Sequence, residues 1–168
     1  LKMISKFGVG LDNIDLNACK DRNVQIGWTG GVNKRSVSEM TLGFMLMLSR
    51  NLFTTSNKLK QMVWDKKGGT QLTGKTIGII GLGNIGKDLV SLLQPFGCDF
   101  LVNDIIDISD YASLHNLRIA SKEAIYSNSD IISIHTPLNM ETTNLINLEV
   151  FKKIKSSSFL INTARGGI

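Results

Sequence analysis

Short apolar β-branched runs alternate along the chain with segments whose apolar residues recur at helical spacing. Thr76-Ile77-Gly78-Ile79-Ile80 has the length and composition of a strand. Ile85, Leu89, Leu92 and Leu93 then follow at i, i+4, i+7 and i+8, the period of an amphipathic helix. Further strands are expected at Phe100–Asn103, Leu117–Ala120, Asp130–Ile134 and Ser158–Asn162, with helices at Ser121–Ser127, capped by Ser121, and at Asn147–Lys155. Asp107–Asn116 reads as a polar crossing. This alternation implies an α/β fold with a doubly wound parallel sheet. Upstream, the pattern gives a strand at Leu1–Phe7, a short helix at Asp15–Arg22 with Asp15 as its N-cap or first-turn acid, and a strand at Val24–Ile26. These pieces are too few to bury a core alone. Residues 1–33 therefore read as the end of one domain and residues 34–168 as a second.

A long helix joins the two. Ser36 and Glu39 stand in capping-box spacing, and Val37, Met40, Phe44, Met45 and Leu48 form an apolar stripe. Leu42, Leu46 and Met47 carry that stripe almost all round, as in a helix wedged between domains or subunits. Asn57–Lys67 continues the helix until Gly68-Gly69 breaks it.

The run at Thr76 enters Gly81-Leu82-Gly83-Asn84-Ile85-Gly86, and Asp104 closes the following strand. A strand, a GxGxxG turn, a helix and then an acid are the sequence form of a dinucleotide-binding unit. Gly81 allows the tight turn, Gly83 allows the backbone to approach a pyrophosphate, and Gly86 lets the helix pack on the strand. The free N–H groups of the helix start, aided by its dipole, face the phosphates. Asp104 can accept from both ribose hydroxyls and would repel a 2′-phosphate, which favours NAD over NADP. Ligands of such sheets bind beyond the carboxyl ends of the strands. Gly81–Gly86, Asp104, His135–Pro137 and Thr163–Arg165 should therefore converge on one crevice. Arg165 offers a planar fork of donors suited to a carboxylate and could polarise an adjacent carbonyl; on position alone it could equally satisfy the sheet end.

Composition removes several alternatives. With 42% apolar and 20% charged residues the chain reads as globular, and its longest apolar run, Leu42–Leu48, is far short of a membrane span. The net charge of +5 is spread over lysines without interleaved aromatics, which argues for solvated faces rather than nucleic-acid binding. Cys19 and Cys98 have no metal-ligand or redox spacing, so reduced thiols in a cytoplasmic protein and no metal site are expected.

Five ordered motifs resemble the D-isomer-specific 2-hydroxyacid dehydrogenase family, which includes phosphoglycerate dehydrogenase. They are Gly8–Asp15, Ser36-Val37-Ser38-Glu39, Gly81–Gly86, His135-Thr136-Pro137-Leu138 and Asn162–Gly167, and together they span nearly the whole chain. The resemblance implies an incomplete Rossmann NAD-binding domain preceded by part of a flavodoxin-like substrate domain. It implies hydride transfer between NAD(H) and a D-2-hydroxy acid or 2-oxo acid, with Arg165 as the catalytic arginine. Backbone N–H groups at Val9 and Gly10 would help hold the substrate carboxylate. Gly81, Gly83, Asn84, Ile85 and Gly86 would serve the pyrophosphate, Asp104 the ribose, and Thr136 and Pro137 the adenine. Thr142 would lie near the central ribose-phosphate, and Thr163-Ala164 beside the nicotinamide. A homodimer through the 36–63 region is implied, with a dinucleotide-sensing corepressor-like module as the alternative to an enzyme.

The departures from the family pattern concern the hinge. Trp28-Thr29-Gly30-Gly31 stands where Asn-Thr-Pro-Gly is usual, and Ser38 where alanine is usual. The family's acid–base histidine and its glutamate partner come later than Ile168, so the chain reads as an internal fragment, essentially inactive by itself. His135 is assigned to the adenine side or to strand-end packing, and His115 to the exposed surface.

Overall fold

In the computed structural model, which describes residues 1–168, the Thr76–Ile80 run forms strand β3 at the centre of a five-stranded sheet. The other strands are β4 (Asp99–Asn103), β5 (Arg118–Ile119), β6 (Ile131–Ile134) and β7 (Phe159–Asn162). Their spatial order is β5-β4-β3-β6-β7, and every pairing is parallel. Chain order reverses direction between β3 and β6, so the sheet has its switch point there.

Alternation along the strands divides the core in two. Ile77, Ile79 and Ile131 point to one face, where they meet Leu89, Val90 and Leu93 of α4 (Asn84–Leu93) and Met45 of α2 (Lys34–Ser49). Ile80, Leu101 and Ile132 point to the other, against Ile125 and Tyr126 of α6 (Lys122–Asn128) and Val150 of α7 (Leu148–Phe151). A Cβ at Gly78 would strike Ser129 and Ile125, so glycine in β3 is what lets α6 lie against the sheet. Residues 1–33 form a separate small layer. Its strands β1 (Met3–Ser5) and β2 (Gln25–Gly27) pair in parallel through α1 (Leu16–Asp21), and Asp15 caps that helix by accepting from the Ala18 N–H at 2.9 Å.

Five local expectations are corrected. Helix α2 starts at Lys34 with Asn33 as N-cap, so Ser36 lies inside the first turn and the Ser36/Glu39 capping box is not made. Its buried face is Ser38, Thr41, Met45 and Ser49, while Met40, Phe44 and Leu48 lie on the outer side. The helix does not run on to Lys67: Asn51 adopts a left-handed conformation (φ 57°), and a second helix, α3, covers Leu52–Lys60. Asp107–Asn116 contains a helix, α5 (Ser109–Leu114), because Asp107 accepts from the Ser109 N–H and Ile108 and Ala112 are buried under the surrounding polar residues. The expected Asn147–Lys155 helix shortens to α7, with Asn147 accepting from the Glu149 and Val150 N–H groups.

Candidate functional site

The carboxyl ends of β3, β6 and β7 open into one cavity of about 820 Å³, closed on its far side by residues 8–13, Trp28 and Gly30-Gly31 of the small layer. Nine of the residues expected at a site line it: Val9, Gly10, Asn84, Ile85, Thr136, Pro137, Thr163, Ala164 and Arg165. The others stand behind this wall or beyond it. Gly81 turns at φ 96°, and a Cβ there would come within 2.7 Å of the His135 carbonyl group. Gly86 faces the Gly81 carbonyl so closely that any side chain would overlap it. Gly83 is the N-cap of α4, has no neighbour that an added Cβ would touch, and supplies no side-chain cap. The first N–H groups of α4 are consequently left for a ligand.

Asp104 is tied to the turn. One carboxylate oxygen accepts from the Leu82 N–H at 2.6 Å, and the other from the Ile105 N–H at 2.7 Å and the Ile106 N–H at 3.3 Å. It therefore braces the glycine turn in addition to offering its remaining lone pairs outward. Thr142 is a loop staple: its hydroxyl donates to the Pro137 carbonyl at 2.6 Å, and it accepts from the Asn139 N–H at 2.9 Å.

Arg165 enters the cavity from the end of β7. Its Nε and Nη2 donate to a single oxygen of Asp12 at 3.1 and 2.8 Å, and Nη1 donates to the Ala164 carbonyl at 2.9 Å. This leaves one N–H on each terminal nitrogen, enough for a bidentate grip on a carboxylate. The guanidinium holds the Asp12 carboxyl below the usual carboxylate range, and Asp12 raises the arginine in return. Gly10 lies directly under the guanidinium, where a Cβ would collide with it. The backbone N–H groups of Val9 and Gly10 have no acceptor within the protein.

His135 is a packed strand-end residue. Its Nε2 is 2.8 Å from the Ser133 hydroxyl, and burial pushes its pKa down to about 4. Its Nδ1 and the neighbouring Thr136 hydroxyl are buried without a partner at the cavity wall. These orphaned groups, the open N-terminus of α4 and the side-chain-free Gly83 together fit a dinucleotide lying across the strand ends. His115 instead stacks on Tyr111 at 4.1 Å, outside the cavity lining. The Cys98 thiol is pushed up to about 11 by burial, which disfavours the reactive thiolate.

Sequence reading missed Asp12, Gly31 and the support given by Thr41. Asp12 was visible two residues after Gly10, but nothing in the spacing named its partner. Gly31 has φ 76°, and an added Cβ would come 2.8 Å from the Asn84 side chain, so the small layer touches α4 at a glycine. The Thr41 hydroxyl shares a hydrogen bond of 3.1 Å with that of Thr163, linking α2 to the site.

The family model described as "D-isomer specific 2-hydroxyacid dehydrogenase, NAD binding domain" matches residues 42–168. Over 99% of its length the chain is 35% identical to hydroxypyruvate reductase of Thermotoga maritima, of which it covers 54%. It is also 35% identical, over its whole length, to D-3-phosphoglycerate dehydrogenase of Rattus norvegicus, of which it covers 32%. The chain thus spans between a third and about half of these relatives. The D-lactate dehydrogenase of Aquifex aeolicus, solved with NAD and lactic acid, superposes with a TM-score of 0.92 at 30% identity, over 99% of this chain and 51% of that one. The glycine turn at the switch point, the matched family model and these likenesses agree: the chain belongs to the D-isomer-specific 2-hydroxyacid dehydrogenase family and carries its NAD-binding domain.

Proposed function

We propose that this chain serves an NAD-dependent oxidoreductase that moves a hydride between the cofactor and a D-2-hydroxy acid or 2-oxo acid, in the manner of phosphoglycerate dehydrogenase. The observation that carries this reading is the position of Arg165. Its two spare N–H groups and the unpartnered N–H groups at Val9 and Gly10 share one cavity with the N-terminus of α4. A carboxylate and a dinucleotide phosphate would each find donors there. NAD(H), when bound, supplies or accepts the hydride.

The chain's own residues divide the remaining work. Gly81 and Gly86 shape the turn, Gly83, Asn84 and Ile85 present N–H groups to the pyrophosphate, and Asp104 accepts from the ribose. Thr136 and Pro137 flank the adenine side, with Thr142 stapling their loop. Thr163 and Ala164 flank the reacting ring. Arg165 holds the substrate carboxylate and draws negative charge onto the 2-oxo oxygen, a role in which preorganised donors are worth most. His135 is neutral near pH 7 and does not serve as the acid. A general acid contributes about 10²–10⁴ in rate, so these 168 residues alone should turn over a 2-oxo acid at a small fraction of a complete enzyme's rate. Residues 1–33 act as one wall of the substrate domain and 34–168 as the cofactor domain.

Steady-state reduction of hydroxypyruvate, glyoxylate and pyruvate with NADH by the complete natural polypeptide tests the reading. Turnover of one of them that Arg165→Ala lowers by about 10²-fold or more is expected. No NADH-linked turnover and no calorimetric NADH binding would overturn it.

The outer face of α2 and α3 supports a homodimer. Met40, Phe44, Leu48, Leu52 and Phe53 are exposed along it, and Met62, Val63 and Trp64 follow just beyond. So many exposed apolar side chains on adjacent helices are what an interface between copies would cover.

A further inference from the structure

Trp28 is the one large aromatic residue in the cavity wall. Its indole Nε1–H donates to the Val9 carbonyl at 2.6 Å, nineteen residues away in sequence. The Val9 carbonyl and the Gly10 N–H belong to the same trans peptide plane, and there the C=O and N–H bonds point in opposite directions. A donor that fixes the carbonyl therefore also fixes the direction of the Gly10 N–H. That N–H has no acceptor in the protein and lies beside the guanidinium of Arg165.

Room for the indole comes from Gly30. A Cβ at that position would stand 3.1 Å from Trp28 Cη2 and 3.5 Å from Cζ2. The two residues that depart most from the usual hinge loop, Trp28 and Gly30, are thus two halves of one contact. The large ring needs the missing side chain.

We propose that Trp28 is a positioning residue for the substrate carboxylate: its indole N–H locks the Val9–Gly10 peptide so that the Gly10 N–H and Arg165 meet the same anion. The proposal rests on the functional reading above. It adds a group that touches neither cofactor nor reacting atoms and acts only through the peptide it holds. The indole needs no charge for this, so the cradle keeps the net positive character that the anion requires.

Steady-state kinetics on the complete natural polypeptide provides the test, with a 2-oxo acid that the wild type reduces and with oxalate as a non-reacting carboxylate probe. Trp28→Phe keeps the ring and removes the N–H. KM for the 2-oxo acid and the calorimetric Kd of oxalate should rise about 3–10-fold, the scale of one hydrogen bond, while KM for NADH is unchanged. Gly30→Ala leaves the indole present but displaces it and should reproduce the same split, which keeps the test open if Trp28→Phe folds poorly. Variants that bind NADH normally and show wild-type KM and oxalate affinity would overturn the proposal. A wild type that reduces no 2-oxo acid and binds no oxalate would overturn the functional reading itself, and the two failures are distinguishable.

Discussion

One carboxylate oxygen of Asp12 accepts from both Nε and Nη2 of Arg165, across 153 residues of chain. This contact ties the small layer to the end of β7 and turns the outer edge of the guanidinium toward the cavity. Both side chains are about half exposed, so the pair contributes little to stability. Its importance is orientation. Asp12→Asn should leave the urea midpoint nearly unchanged and raise KM for a 2-oxo acid several-fold, with NADH affinity unaltered. Arg165→Lys should be worse, because an ammonium cannot reproduce the planar fork. An unchanged KM in Asp12→Asn would show that Ala164 alone holds the guanidinium.

Gly83 and Gly86 should respond differently to the same substitution. Gly86→Ala forces a methyl group onto the Gly81 carbonyl and should cost about 1–3 kcal/mol of stability, read by denaturation. Gly83→Ala meets no protein atom, and its φ of −77° suits alanine, so stability should hold. NADH binding should nevertheless weaken about tenfold or more if the pyrophosphate lies against that Cα. Tight NADH binding by Gly83→Ala would place the phosphates elsewhere.

Asp104→Ala removes more than a ribose contact. It strands the N–H of Leu82, a fully buried residue, so a stability loss of about 1–3 kcal/mol should accompany weaker NADH binding. Asp104→Asn can still accept from Leu82, with its NH2 turned toward the exposed Ile105 and Ile106 N–H groups, and so separates most of the two effects. It should lose less stability than Asp104→Ala while losing most of the preference for NADH over NADPH in calorimetry, since the charge that repels a 2′-phosphate is gone. Equal discrimination by wild type and Asp104→Asn would remove the aspartate from cofactor choice.

The depressed pKa of His135 makes a signed prediction. The unfolded imidazole takes up a proton near pH 6.5 and the folded one only near 4. Between these values the unfolded state binds more protons, so stability falls as the pH is lowered from about 6.5 to about 4 and is fully present above that window. A shift of this size corresponds to about 3 kcal/mol at most. His135→Gln should flatten that part of the urea-midpoint profile relative to wild type. Parallel profiles would mean that the strand end opens enough to solvate the ring.

The apolar outer face of α2 and α3 should report on assembly. Phe44→Glu, or Phe53→Glu at the more exposed position, should lower the mass measured by light scattering from dimer to monomer while leaving the circular dichroism intact. An unchanged mass in both variants would leave the face without a partner copy.

The sequence by itself determined whatever depends on short-range patterns. The β-branched run before Gly81, the burial of Leu89 and Leu93 on the inner face of α4 and the cap at Ser121 all follow from neighbours within a few residues, whereas Ile85 turned to the cavity and Val90 took a core position that the period did not assign. The convergence of the ends of β3, β6 and β7 on one crevice was legible too, because parallel crossovers leave few topologies open, although Asp104 at the end of β4 stands outside its lining. Tertiary structure decided the rest. An almost uniformly apolar α2 carries no phase of its own. The inner face goes to Ser38 and Thr41, whose hydroxyls bond back to the Lys34 and Val37 carbonyls and whose small size lets α4 and β7 approach. The Asp12–Arg165 and Trp28–Val9 contacts join residues that no local period relates. Which distant polar group meets which is fixed only when packing brings them together, and in this chain that choice shapes the end of the cavity where Arg165 lies.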